Sequence, residues 1–167
     1  VRYREEGEWK RGTVFISEIV PKPAISLVAN TLYGEHYSTR PMRHRWAKEG
    51  KQLKVAYEWK HQEKWNRLAV SAADTPQPLS DGSEEQFIAE HYWGYTKRRG
   101  GGSSEYRVEH PSWEVLPVQD YEVICDGHSL YGAAFGEVLE KEPSSVFLAN
   151  GSAVQVRRGR HLPKAIK

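Results

Sequence analysis

Two stretches alternate between apolar and polar residues with a period of two, and that period limits the fold more than any other feature. Leu53, Val55, Tyr57 and Trp59 fall on one side of an extended chain, and Lys54, Ala56, Glu58 and Lys60 on the other. Asn66, Leu68 and Val70 likewise oppose Trp65, Arg67, Ala69 and Ser71. The short polar link His61-Gln-Glu-Lys64 joins them, so the pattern predicts an antiparallel hairpin, although the link lacks the Asn-Gly or Asp-Gly of a tight turn.

Other segments extend this picture. Gly12 to Val20 reads as one strand, apolar and β-branched over several positions, stopped by Pro21 and Pro23. Ile25, Val28, Ala29 and Leu32 then come at helical spacing, with Pro23 suited to the first turn and Gly34 to the position past the end. A short helix over 23–33 is expected. Ser83-Glu-Glu-Gln86 is a capping box that starts a second helix, and Gly132 to Glu140 carries a weaker third one. Lys97 to Ser104 reads as a hairpin tip between strands at 95–98 and 105–110. Tyr121 to Cys125 reads as a strand, and 146–156 as a final hairpin turning at Asn150-Gly151. Strands that do not alternate regularly with helices disfavour a parallel α/β fold. The expected class is mainly β (β-rich α+β), a sheet or barrel of antiparallel strands with about three short helices, forming a single domain over residues 1–167.

Composition removes several functions. The 167 residues carry a net charge of +2, too balanced to require a polyanion. No apolar run approaches the roughly 18 residues of a membrane span. A single cysteine, Cys125, rules out an internal disulfide and points to a reducing, cytoplasmic setting. Phosphate-binding glycine loops, H-E-x-x-H, C-x-x-C and G-x-S-x-G are absent, and the seven His show no metal-ligand spacing. No cofactor and no metal are therefore expected.

The densest polar and aromatic stretch runs from Tyr33 to Trp46. If Met42 to Trp46 is extended, Met42, His44 and Trp46 share one face, and Arg43 and Arg45 the other. His44 then fits an acid–base role, with Arg43 or Arg40 holding a carboxylate, or else a core histidine beside solvated arginines. A second stretch, Tyr106 to Trp113, puts Tyr106, Val108 and His110 on one face, and Tyr92 and Tyr95 offer hydroxyls nearby. The basic tip Lys97-Arg98-Arg99 and tail Arg157-Arg158-Gly-Arg160 suit either phosphates or a solvated surface.

Phe15 to Asn30, Leu32-Tyr-Gly-Glu-His-Tyr37, Pro41-Met-Arg-His44, Glu85 to Tyr95 and Tyr106 to Trp113 together resemble the YqjF-like uncharacterised bacterial family, in order, from about residue 1 to 162. That family is similar in fold to acetoacetate decarboxylase. The resemblance implies a cone-like β-barrel with a central cavity and a further N-terminal portion, this chain being the C-terminal two-thirds of a longer protein. The decarboxylase uses a Schiff-base lysine in a Gly-Phe-Pro-Lys-Lys context. The corresponding place here is Tyr33-Gly34-Glu35-His36-Tyr37, which has no lysine. Schiff-base decarboxylation is therefore not expected. The resemblance points to Glu35, Tyr37, Arg43, His44, Tyr92 and His110 as cavity residues for an unidentified small-molecule ligand carrying a carbonyl or carboxylate. It assigns no catalytic residue. The alternative is a non-catalytic module that binds a partner or nucleic acid through the basic tip and tail, nucleic acid being the less expected of the two and no membrane being expected.

Overall fold

The computed structural model describes residues 1–98 and 100–162, residue 158 by its backbone alone. In chain order its strands are β1 (Arg2–Glu5), β2 (Glu8–Arg11), β3 (Thr13–Val14), β4 (Glu18–Val20), β5 (Tyr37–Thr39), β6 (Met42–Glu49) and β7 (Gln52–His61). They continue with β8 (Lys64–Ala73), β9 (Trp93–Lys97), β10 (Ser103–Glu109), β11 (Glu114–Ile124), β12 (Phe147–Asn150) and β13 (Gln155–Leu162). The helices are α1 (Pro23–Val28), α2 (Glu84–Ala89), α3 (Gly127–Tyr131) and α4 (Ala133–Leu139), and a wide π turn over Ala29–Tyr33 prolongs α1. The fold is mainly β, with a curled sheet that forms half of a barrel.

The alternating runs form the middle of that sheet. Its order is β12-β11-β8-β7-β6, and β7 and β8 pair from Gln52↔Ala73 to His61↔Lys64. Gln62 and Glu63 make the two-residue turn, both with positive φ (46° and 66°). This is the handedness that twisted strands demand, and the long ladder behind it imposes that conformation on side chains that rarely choose it. The second sheet runs β13-β10-β9-β3. The Ser83 side chain accepts from the Gln86 amide at 3.1 Å, and Gln86 accepts from the Gly82 amide at 2.8 Å, so the cap that starts α2 is closed from both sides.

Several expectations change. Residues 12–20 are two short strands, not one. β3 lies parallel to β9 and β4 parallel to β5, so the pairing is not wholly antiparallel. The strand at 121–125 begins at Glu114, because Pro117 sits where β11 changes partner: Glu114–Pro117 face β12, and Val118–Ile124 face β8. A proline without an amide hydrogen fits such a switch point. The final hairpin does not form. β12 pairs with β11, and β13 with β10, where ladders of distant strands displace the local turn. Four short helices stand among the described residues instead of three, α3 being the addition, its Asp126 cap accepting from the Ser129 amide at 3.1 Å.

The second sheet is held by one buried acid. Glu105 is 2% exposed and accepts hydrogen bonds from Tyr3 (2.5 Å), Arg160 (2.7 Å) and Tyr95 (3.0 Å). Burial pushes its pKa up, but those donors hold it below the usual carboxylate value. On the opposite face, Tyr106 lies flat across Gly94, its cross-strand partner. Phe15 stacks against Tyr106 at 6.5 Å, and Tyr33 meets it edge-on at 6.2 Å. A methyl group at Gly94 would enter the Tyr106 ring. Gly94→Ala is therefore expected to lower stability by about 1–3 kcal/mol in urea unfolding, whereas an unchanged midpoint would show that the ring does not rest there.

Candidate functional site

The helix α1, the π turn behind it and β5 together assemble the site. Pro23 opens the helix at a position where no amide hydrogen is needed. The π turn then widens the backbone, and Gly34, at φ 71°, reverses it. The Glu35 amide closes back on the Ala29 carbonyl at 3.2 Å. Asn30 clamps the backbone of Tyr37 from both sides, donating to its carbonyl (2.9 Å) and accepting from its amide (2.8 Å). Buried Ser26 meets the Thr39 hydroxyl. These contacts fix α1 against β5 and leave Ala24, Ile25, Val28 and Ala29 facing Tyr106 and Val156.

Between them lies a pocket of about 470 Å³, which Tyr33, Glu35 and Tyr37 complete. None of the described residues that line it is basic. Glu35 is 8% exposed, and both carboxylate oxygens are buried with no hydrogen-bond partner. Glu18, half-buried on β4, leaves its Oε2 in the same condition. The hydroxyls of Tyr37 and Tyr106 stand near Glu18 and Glu35 and interact with them, yet neither contact reaches good hydrogen-bond geometry. Burial pushes Glu18 up to about 7, with the charge of Glu35 adding to it and the Tyr37 hydroxyl opposing. Burial, then the neighbouring carboxylates, push the Tyr37 and Tyr106 phenols well above their ordinary value. At neutral pH the phenols are donors and Glu18 shares its proton.

The other sequence candidates lie elsewhere. Arg43 projects from β6 and pairs with Glu58 (2.5 Å), its guanidinium over the Trp65 ring at 4.2 Å. His44 is on the opposite face, exposed, with Tyr57 at 5.9 Å. Tyr92, His110 and Trp113 form a stack with centroids 4.9 Å and 4.1 Å apart. His110 Nδ1 lies 2.8 Å from the Pro111 carbonyl, so Nδ1 carries the ring proton. The structure thus brings Glu35 and Tyr37 together, and Tyr92 with His110, but not the six residues into one site. In the basic tail, Arg157 pairs with Glu109 and Arg160 with Glu105 and Glu5. Arg99 and the Arg158 side chain lie outside the described residues.

Two other features were not singled out by the sequence. A larger depression of about 610 Å³ covers the charged face of the five-stranded sheet, but there Lys54 pairs with Glu49, and Arg67 with Glu58 and Glu122. Those charges are already paired with one another. Buried His61 contacts Ser129 through Nε2 at 2.8 Å, but its Nδ1 has no partner and so lacks the acid that would orient a catalytic dyad. No group of three or more His, Cys, Asp or Glu among the described residues is placed to hold a metal ion. No described helix is long and apolar enough to cross a membrane.

Glu18, Tyr33 and Tyr106 are the pocket-associated residues the sequence did not select. A glutamate inside an apolar strand is a legible signal for Glu18, since such residues are seldom buried without a reason.

Unpartnered burial has two measurable consequences. Glu35→Leu should raise stability by about 1–3 kcal/mol, or about 2–4 °C in melting temperature per kcal/mol. A loss in calorimetry would reveal a partner for the carboxylate. Glu18 holds its proton to about pH 7 when folded, against an ordinary value of 4.5. Its contribution is full below the ordinary value and is lost as pH rises through about 7. Urea midpoints should therefore fall over that window in the native protein and less so in Glu18→Gln. Parallel pH profiles would contradict the burial.

No solved structure and no curated protein shows a significant match to this chain. Residues 1–153 match a family described as an uncharacterized conserved protein, DUF2071, and that span covers most of the chain. With a match of that length, the chain belongs to the DUF2071 family.

Proposed function

We propose that this protein binds a small, mainly apolar organic molecule in the pocket between α1 and β10. The observation that carries the reading is Glu35: a buried carboxylate with two unpartnered oxygens, set among Ile25, Val28, Ala29 and three phenol rings. Burying such a group without a partner costs folding energy. A ligand that supplies the partner explains why the cost is tolerated. Pockets of this kind, apolar with few polar groups, are the usual form of small-molecule sites.

The chemistry of the pocket narrows the ligand. A carboxylate would meet the charge of Glu35, while Arg43 is committed to Glu58. A carbonyl finds donors in Tyr37 or Tyr106 but leaves Glu35 unsatisfied. A group that donates hydrogen bonds suits the floor best. No lysine is among the described residues that line the pocket, and Glu35 and Tyr37, which border it, fall where the sequence resemblance would put the decarboxylase's imine-forming motif. This supports a protein without Schiff-base chemistry. The alternative of a polyanion-binding module draws little support, because Arg157 and Arg160 are neutralised by acids.

Titration with the neutral fluorophore N-phenyl-1-naphthylamine tests the reading. Saturable enhancement is expected in the native protein, and Ala29→Trp, which fills the pocket, should weaken it at least about tenfold while the fold is kept by circular dichroism. Equal binding by the folded variant would place the probe elsewhere and overturn the proposal.

A further inference from the structure

We propose that the pocket selects a small organic cation, an alkyl- or arylammonium ion, whose charged head meets Glu35 and whose hydrocarbon lies along α1. This rests on the pocket being a ligand site and names the ligand class.

Three independent features converge on a cation. The first is unmet acceptor capacity. Glu35, which lines the pocket, has two buried oxygens without a hydrogen-bond partner among the described residues. An ammonium head carries three donors and no acceptor, the complement of that floor. Charge-assisted contacts of this kind are the strong ones.

The second is the sign of the local field. Two acids stand at the cluster, and none of the described residues lining the pocket is basic. Glu35 already raises the proton affinity of Glu18. A proton on Glu18 now supplies some of the positive charge that the site lacks, and a bound cation would supply it instead. Among the described residues, the titratable groups facing the cluster are Glu18 on β4, Tyr33 in the π turn, Glu35 just before β5, Tyr37 on β5, and Tyr106 on β10. None of them is a cation.

The third is the wall. Tyr33 and Tyr106 both line the pocket and meet edge to face, with a 68° angle between their planes. Phe15 lies parallel behind Tyr106 and fixes its tilt. Aromatic faces attract organic cations, and more strongly where water is excluded. On the remaining side Ala24, Ile25 and Val28 offer only carbon. Hydrated metal ions are a poor match, because hard cations demand six or more oxygen ligands and an apolar wall provides none.

Calorimetric titration at pH 8 with three ligands of one shape tests the assignment: benzylammonium, benzyl alcohol and phenylacetate. Benzylammonium should bind at least about tenfold more tightly than benzyl alcohol, and phenylacetate more weakly than both. In Glu35→Gln the preference for the cation over the alcohol should vanish while the fold is kept by circular dichroism. Benzyl alcohol or phenylacetate binding as well as benzylammonium would overturn the inference, and so would a cation preference that survives Glu35→Gln. N-Phenyl-1-naphthylamine bound normally alongside such a result would leave the pocket standing and refute only the cation. Failure of both probes would remove the pocket itself.

Discussion

The structure turns on how it treats two buried carboxylates, Glu105 on β10 and Glu35 just before β5. Glu105 is enclosed and fully partnered by two phenols and a guanidinium. It is a structural acid, fastening β1, β9, β10 and β13. Glu35 is nearly as enclosed, and among the described residues neither of its oxygens receives a hydrogen bond of good geometry. A low local dielectric makes the first arrangement strong and the second costly. Protein folds tolerate the second arrangement chiefly where something other than folding requires it.

The link between these two acids is Tyr106. It comes directly after Glu105 in sequence and points to the other face, because successive strand residues alternate. Its ring lies over Gly94, is backed by Phe15, and closes the pocket that Glu35 floors. A strand pinned on one side by Glu105 thereby holds a rigid aromatic wall on the other. The opposite wall, α1, is secured by Asn30 and Ser26 and not by burial of its own apolar side, since Ile25 and Val28 stay about half exposed. An apolar helix face held open over a buried acid is what a binding site of this size requires.

Much of the fold was legible because its signals are local. The alternating runs at 53–60 and 65–71 became adjacent strands with the expected faces. The capping residues at 83–86 started α2, and Pro23 and Gly34 bracketed a helical segment. The errors have a common cause. Where the partner was distant in sequence, local patterns failed: Asn150-Gly151 promised a hairpin, but β10 and β11 took the two strands. The split of residues 12–20 depends on β9 and β5 offering parallel partners to its two ends. The candidate site obeys the same rule. Glu35 and Tyr37 were found through the Tyr33–Tyr37 motif, and geometry unites them. Arg43 and His44 have the alternating faces expected of them, but β6 is the edge of its sheet, and an edge strand rich in cations faces water. Glu18 could be recognised as an acid in an apolar strand, yet only β5 beside it explains its burial.

The Glu35 carboxylate borders the pocket, and among the described residues no cation stands beside it. An atomic-resolution electron-density map tests this most directly. The account predicts the carboxylate turned into the cavity, with water or a small molecule against it and no Lys or Arg nitrogen within about 4 Å. A carboxylate paired with a basic side chain, or swung out into bulk solvent, would contradict it.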